Sequence, residues 1–263
     1  MVLFGGSSGS TLLADTWVWD GGPPIWQGGV VNGASFTPGR PLAAGSIGSL
    51  FGSQLARTTA TAEALPLPTL LAGSRVTLNG IAAPLFFVSS GQINFQAPWE
   101  LQGQTHASVS VSVDGVSSPV ETSSLASFSP GIFTLTPSGQ GAVVIASTGE
   151  VAAPSGSVPG FVARPVQRGE YLSIYCTGLG PVTNRPASGA ASPSSPLSTT
   201  TMTPSVAIGG MPTAVSFSGL APGLVGIYQV NVQAPPDAPT GGGVPVVLAI
   251  GGVASNTVTV AVQ

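Results

Sequence analysis

The stretch SVSVSVDGVSSPVET, Ser108 to Thr122, decides how the chain is read. Serine and valine alternate up to Val113, and a two-residue period puts every valine on one face and every serine on the other, as a half-buried β-strand requires. Asp114-Gly115 then supplies the residue pair favoured in tight hairpin turns, and a second strand returns. VPVVLAIGGVASNTVTVAV, Val244 to Val262, repeats the plan with Gly251-Gly252 at the turn, and the two turns lie 137 residues apart.

The same interval recurs elsewhere. GQINFQAP (Gly91 to Pro98) and YQVNVQAP (Tyr228 to Pro235) share Gln-x-Asn-x-Gln-x-Pro, with Gln92 and Gln229 again 137 residues apart. GSIGSLFGSQL from Gly45 resembles GEYLSIYCTGL from Gly169, and VTLNGIAAPLFFVS from Val76 resembles VAIGGMPTAVSFSG from Val206. Matched blocks in one order mark an internal duplication. The 37 glycines and 25 prolines punctuate short alternating segments, and no stretch of a dozen residues holds a helical apolar period. The expectation is an all-β chain of two tandem immunoglobulin-like sandwiches, residues 28–127 and 166–263, joined by a bridging hairpin or linker over 128–165 that turns near Gly149.

Composition narrows the function classes. Only 6% of the 263 residues are charged, lysine is absent, and six arginines against nine carboxylates give a net charge of −3. Such a chain offers no basic stripe for nucleic acid and no polybasic patch for anionic lipid. Mean hydropathy is +0.44, yet no run reaches the roughly 20 apolar residues of a spanning helix. The lone Cys176 alternates in register with Leu172 and Ile174 and reads as a buried small hydrophobe.

The duplicated motif supplies the candidate ligand residues. In Gln-x-Asn-x-Gln-x-Pro, Ile93 and Phe95, or Val230 and Val232, face the core, while Gln92, Asn94, Gln96 and Gln229, Asn231, Gln233 point the other way. Side-chain amides both donate and accept, so these rows either bond to neighbouring backbone and the facing domain or offer a polar strip to sugar hydroxyls. The first use is preferred, because duplication preserves scaffolds. Trp99 has two readings as well, a packing residue at a domain edge or a sugar-stacking platform.

Catalytic constellations are weak. Gly5-Gly6-Ser7-Ser8-Gly9 fits G-x-S-x-G but is not followed by a helix pattern. His106, the only histidine, would have to serve any triad, and QTHASV reads as the polar lead-in to a strand. One Cys and one His fall short of a zinc site, and no cofactor-binding pattern appears. Arg164, Arg168 and Glu170 suggest an interdomain polar contact. The Ser/Thr/Pro-rich tract Asn184 to Ser205 reads as a mobile or O-glycosylated loop.

Five blocks carry a family likeness: VVNGASFTPGRPLAAGSIGSLFGSQLA, VTLNGIAAPLFFVSSGQINFQAPWEL, SPGIFT, GEYLSIYCTGLGPV and GLAPGLVGIYQVNVQAP. Together they closely resemble the Solibacter-type C-terminal domain, a module at the ends of large secreted acidobacterial proteins, over roughly Val30 to Gln263. Each half also resembles an IPT/TIG-type immunoglobulin-like domain. The likeness implies a secreted or cell-surface setting and supplies no catalytic residues. Residues 1–27, MVLFGGSSGSTLLADTWVWDGGPPIWQ, resemble one Kelch repeat, with DTWVWDG and Trp26 as its signature. A lone repeat implies a longer protein whose propeller and signal peptide lay upstream, or strands that pair elsewhere.

The function expected is a non-enzymatic structural or adhesion module, able to assemble with itself into a fibre through edge strands. A carbohydrate-binding module for surface glycans is the second reading, and a hydrolase using His106 the third.

Overall fold

A computed structural model of the chain describes residues 2–8, 11–18 and 22–263, the first two stretches as backbone only. The strands β1 (Val2–Ser8) and β2 (Thr11–Val18) form an antiparallel hairpin that pairs with no other described strand.

The first sandwich contains β3 (Ile25–Asn32), β4 (Ile47–Gly52), β5 (Ala60–Thr61), β6 (Ser74–Leu78) and β7 (Ile81–Ala82). It continues with β8 (Leu85–Val88), β9 (Gln92–Gln96), β10 (His106–Val113), β11 (Val116–Ser117) and β12 (Glu121–Ser124). One sheet runs β3-β4-β9-β8-β5 and the other β11-β10-β6-β7, with β12 also on β10. Alternation decides what fills the gap between them. Leu50, Leu85, Ile93 and Phe95 from one sheet meet Val76, Leu78, Val109 and Val111 from the other, all without solvent exposure.

The second sandwich begins with β13 (Gly131–Ile132), β14 (Val143–Ile145), β15 (Val151–Ala152), β16 (Ala163–Arg164), β17 (Tyr171–Thr177) and β18 (Ser205–Ile208). Then come β19 (Met211–Thr213), β20 (Val215–Leu220), β21 (Tyr228–Gln233), β22 (Gly241–Ile250), β23 (Val253–Ala254) and β24 (Val258–Val262). Its sheets run β16-β15-β14-β17-β21-β20, with β13 on β17, and β19-β18-β22-β23, with β24 on β22. The orders β4-β9-β8 and β11-β10-β6-β7 thus reappear as β17-β21-β20 and β23-β22-β18-β19, the duplication expressed as topology.

Both expected turns form. Asp114 and Gly115 have φ of 49° and 85°, and Gly251 and Gly252 have 58° and 80°, the positive pair of a type I′ hairpin. The returning strand is broken in each copy, however, after two residues. Ser118 Oγ accepts from Val111 N at 3.0 Å while its own N–H donates to Val111 O at 2.7 Å. Ser255 does the same with Leu248 at 3.1 and 2.8 Å. A hydroxyl has replaced one backbone group of the ladder, which lets the chain bend before β12 and β24.

Two expected boundaries shift. The 128–165 segment is no free bridge, because β13 to β16 pair into the larger sheet of the second sandwich; the hairpin expected near Gly149 is β14-β15. At the other end, residues from Gly22 onward already belong to the first sandwich. Gly22 packs on Ser117, Ser53 N donates to Pro24 O at 3.0 Å, and Trp26 lies on β3 with its side chain exposed.

The 184–205 tract is not a free loop either. Asn184 Nδ2 donates to Pro196 O at 2.6 Å, Ser198 and Ser192 are buried, and Leu67 N of the first sandwich donates to Gly189 O at 2.8 Å. Among the described residues no helix is long and apolar enough to cross a membrane.

Candidate functional site

The repeated amides make the same construction twice. β4 lies beside β9 with Ser49 opposite Asn94, and β17 lies beside β21 with Ser173 opposite Asn231. Asn94 Oδ1 accepts from Ser49 Oγ at 2.9 Å and from Gln92 Nε2 at 2.7 Å. Asn231 Oδ1 accepts from Ser173 Oγ at 3.0 Å and from Gln229 Nε2 at 2.8 Å. Two donors on one carbonyl oxygen fix which way the amide faces. The second glutamine of each motif clamps the loop before the neighbouring strand, Gln96 Nε2 to Gly45 O at 3.3 Å and Gln233 Nε2 to Gly169 O at 2.7 Å.

Gln96 departs from the outward expectation. It is buried, because Gly189 of the second sandwich donates its N–H to Gln96 Oε1 at 2.7 Å. The remaining amides lie on the outer face of their sheets, half-buried except for the exposed Gln233.

Aromatic residues flank the second amide row. Tyr171 sits opposite Gln233 and Tyr175 opposite Gln229 on β17, and Phe217 sits opposite Asn231 on β20. Tyr171 is 54% exposed. It shares a shallow depression of about 530 Å³ with Ala146, Ser147, Glu170, Ser216 and Asn231. Sequence reading missed these aromatics, although the signal was present: in GEYLSIYC the tyrosines occupy the positions that alternate with Leu172, Ile174 and Cys176. In the first sandwich Ile47 and Phe51 stand where Tyr171 and Tyr175 stand in the second, and Ile47 is partly covered by Gly226.

Trp99 follows Pro98 in a short 3-10 turn and is only 2% exposed, so no ring face is open for stacking on a sugar. It packs into the core cluster of the second sandwich. One face lies over Gly45, and the Arg185 guanidinium sits 5.9 Å from the ring centre. Ser188 Oγ accepts from Trp99 N at 2.9 Å and donates to Glu100 Oε2 at 2.7 Å. Arg185 Nη1 also reaches Gln102 Oε1 at 3.1 Å. The indole Nε1 has no partner among the described residues, and the ring lines a cavity of about 140 Å³ between the sandwiches.

A second set of contacts extends this joint. Asn32 Nδ2 donates to Ser129 O at 2.8 Å, and Arg40 Nη1 donates to Ala254 O at 2.7 Å. Ile47 N donates to Thr177 Oγ1 at 2.9 Å, and that hydroxyl donates to Gly226 O at 2.7 Å.

The other candidates are dispersed. His106 is exposed at the start of β10, and its ring contacts only Thr105 Oγ1, at 3.1 Å, among the described side chains. Cys176 is fully buried, and burial pushes its thiol pKa up, which keeps it protonated. Gly5 to Ser8 lie in β1, whereas Gly9 lies outside the described residues. No cluster of potential metal ligands occurs among the described residues.

Arg164 is not an interdomain contact. It bridges Glu150 through Nε at 2.8 Å and Glu170 through Nη1 and Nη2 at 2.8 Å each, all within the second sandwich. These hydrogen bonds, with Gln167 N at 2.7 Å, outweigh partial burial and hold the Glu170 pKa down to about 2. Arg168 donates Nε and Nη2 to Ala238 O at 2.9 and 2.6 Å.

No family model matches this chain, and no curated protein does. Among solved structures, the crystal structure of the I9–I11 tandem from titin aligns over 90% of this chain at 9% identity, with a TM-score of 0.23. The alignment spans 65% of that titin piece, and a likeness so loose bears on neither function nor domain arrangement. The chain's own sheets speak for themselves: it is an all-β protein built from two tandem immunoglobulin-like sandwiches of one repeated topology.

Proposed function

We propose that the chain is a non-enzymatic structural or adhesive module of a secreted or cell-surface protein, a stiff spacer made of two sandwiches that move as one. The observation that carries this reading is the joint. Trp99 of one sandwich is buried in the core of the other, and Gln96 is buried under Gly189. Contacts run along the joint from Ser188 and Gly189 to Asn32, so relative motion of the two sandwiches would break hydrogen bonds, those of Gln96 and Asn32 buried. Interfaces within a chain that are not built this way allow relative motion. The extracellular setting is supported by the resemblance to the Solibacter-type C-terminal domain, and the Kelch-like reading is kept only for the residues before Gly22.

Self-association is the finer part. Apart from their pairing with each other, β1 and β2 have no described strand partner, so each offers a backbone edge to another copy. Light scattering and negative-stain imaging of the full chain, beside a form beginning at Gly22, test it. Concentration-dependent polymers from the full chain and monomers from the shortened one are expected. Monomers from both would overturn assembly through this hairpin.

A further inference from the structure

The outer face of the larger sheet in the second sandwich combines three properties. First, it is aromatic and open. Tyr171 and Tyr175 lie on one strand, about 13 Å apart at the usual strand rise, and Phe217 stands across from them on β20. Second, it carries amide groups that are held but unused. Asn231 Oδ1 is taken by Ser173 and Gln229, which leaves Asn231 Nδ2 as a donor and Gln229 Oε1 as an acceptor without partners among the described residues. Third, its charge is confined to the rim. Glu170 at its rim is ionised, but both its oxygens are occupied by Arg164.

From this face we infer a binding site for a neutral, linear oligosaccharide, with the sugar rings lying on Tyr171 and Tyr175 and their hydroxyls meeting Asn231, Gln229 and Ser216. Each part of the chemistry has its reason. A pyranose presents an apolar C–H face that packs on an aromatic ring, and its hydroxyls each donate and accept, the complement of an amide's paired functions. A face made rigid by its own hydrogen bonds loses little entropy on binding. A peptide strand is disfavoured as occupant, because β17 and β21 are each flanked on both sides by strands, and the end strand β20 is bonded at Ser218 and Leu220 to the segment Ser198 to Thr200. The depression of about 530 Å³ beside Tyr171 falls within the usual range for ligand sites.

The duplication supplies an internal control. The first sandwich keeps the amide row, yet Ile47 replaces the outer tyrosine and is backed by Gly226, whose added Cβ would lie 3.0 Å from Ile47 Cγ1. It also keeps two of the aromatics, Phe51 opposite Gln92 and Phe87 opposite Asn94, so amides and half-buried aromatics alone are scaffold, and the exposed Tyr171 distinguishes the binding copy.

The test is calorimetric titration of the full chain with cellohexaose, xylohexaose, mannohexaose and chitohexaose, backed by co-sedimentation with the corresponding insoluble polysaccharides. At least one should bind, and Tyr171→Ala and Phe217→Ala should each weaken it by about tenfold or more. Phe51→Ala in the first sandwich should leave the affinity unchanged. Thermal unfolding of each variant identifies a loss caused by misfolding, and Tyr171→Ser provides a second substitution at an already exposed position. Absence of binding across the panel, or binding that survives both Tyr171→Ala and Phe217→Ala, overturns the site. Either result leaves the stiff-spacer reading standing, since that rests on the joint.

Discussion

Gly45 has φ of +80° and carries the ring of Trp99 directly over its Cα, so an added methyl meets a backbone penalty and a steric one together. Gly45→Ala should lower stability by about 2–4 kcal/mol, whereas Gly103→Ala, equally left-handed at +86° but with nothing near its Cα, should cost about 1 kcal/mol. Urea denaturation of the two variants separates space from conformation. Glu170 offers a test in pH. Its folded pKa of about 2 lies below the ordinary 4.5, so its contribution is whole above about 4.5 and disappears as pH falls toward 2. Because the pair is about a quarter exposed, screening reduces the expected loss in Glu170→Gln to about 1–2 kcal/mol at neutral pH. At about pH 2 the variant and the parent should nearly converge, and urea midpoints at that pH and at neutral pH check it. Alternation made the fates of single residues readable where they lie in regular strands. Cys176 is buried as Leu172 and Ile174 are, and the amides of β21 face away from Val230 and Val232. It could not reveal that Gln96 is covered, since what covers it comes from Gly189, far along the chain.

Among the elements, the hairpins with their serine breaks give the sharpest comparison. Ser118→Ala leaves the buried Val111 N–H without its acceptor, and Ser255→Ala does the same to Leu248 N–H. Each change should cost about 1–3 kcal/mol, and the two costs should be alike because the geometry is repeated. Thermal unfolding of each single variant measures this, and a large penalty in one copy alone would show that the repeated geometry is not matched in energy. The long strands β10, β22 and β17 were legible, since five or more alternating residues define a period. Of the strands β13 to β16, only the β14-β15 hairpin was legible, through its turn at Gly149, because two or three residues each define no period. Their place in the second sheet is set by pairing with β17, which lies far from β13 in sequence. The candidate glycan face was half legible. Its amides stand out through repetition, but Phe217 joins them only once β20 is set beside β21.

At the scale of the whole molecule, the joint should make two sandwiches unfold as one. Trp99→Ala removes a ring buried in the neighbouring core and should cost about 3–5 kcal/mol. Calorimetry should then resolve two transitions where the parent shows one; a single transition in the variant would mean that the rest of the joint suffices. The packing of Trp99 at a domain edge was legible, but its partners were not, because they come from a Ser/Pro/Gly tract without hydrophobic period, in which Ser188 holds Trp99 N through its hydroxyl and Gly189 holds Gln96 through its backbone amide. The arginines carry a different consequence. Three of the six, Arg40, Arg164 and Arg185, are each followed by proline, and lysine is absent. Arg75 lies within β6, paired to Ser112, and Arg168 grips Ala238 O. Arg57, paired only with Asp114 and with its side chain 74% exposed, is left as the accessible site for a protease of trypsin specificity. The native protein should therefore be nicked once, after Arg57, and the two pieces should stay together because β4 on one side of the cut is laced to β9 on the other. That is digestive resistance written into the choice of a handful of residues.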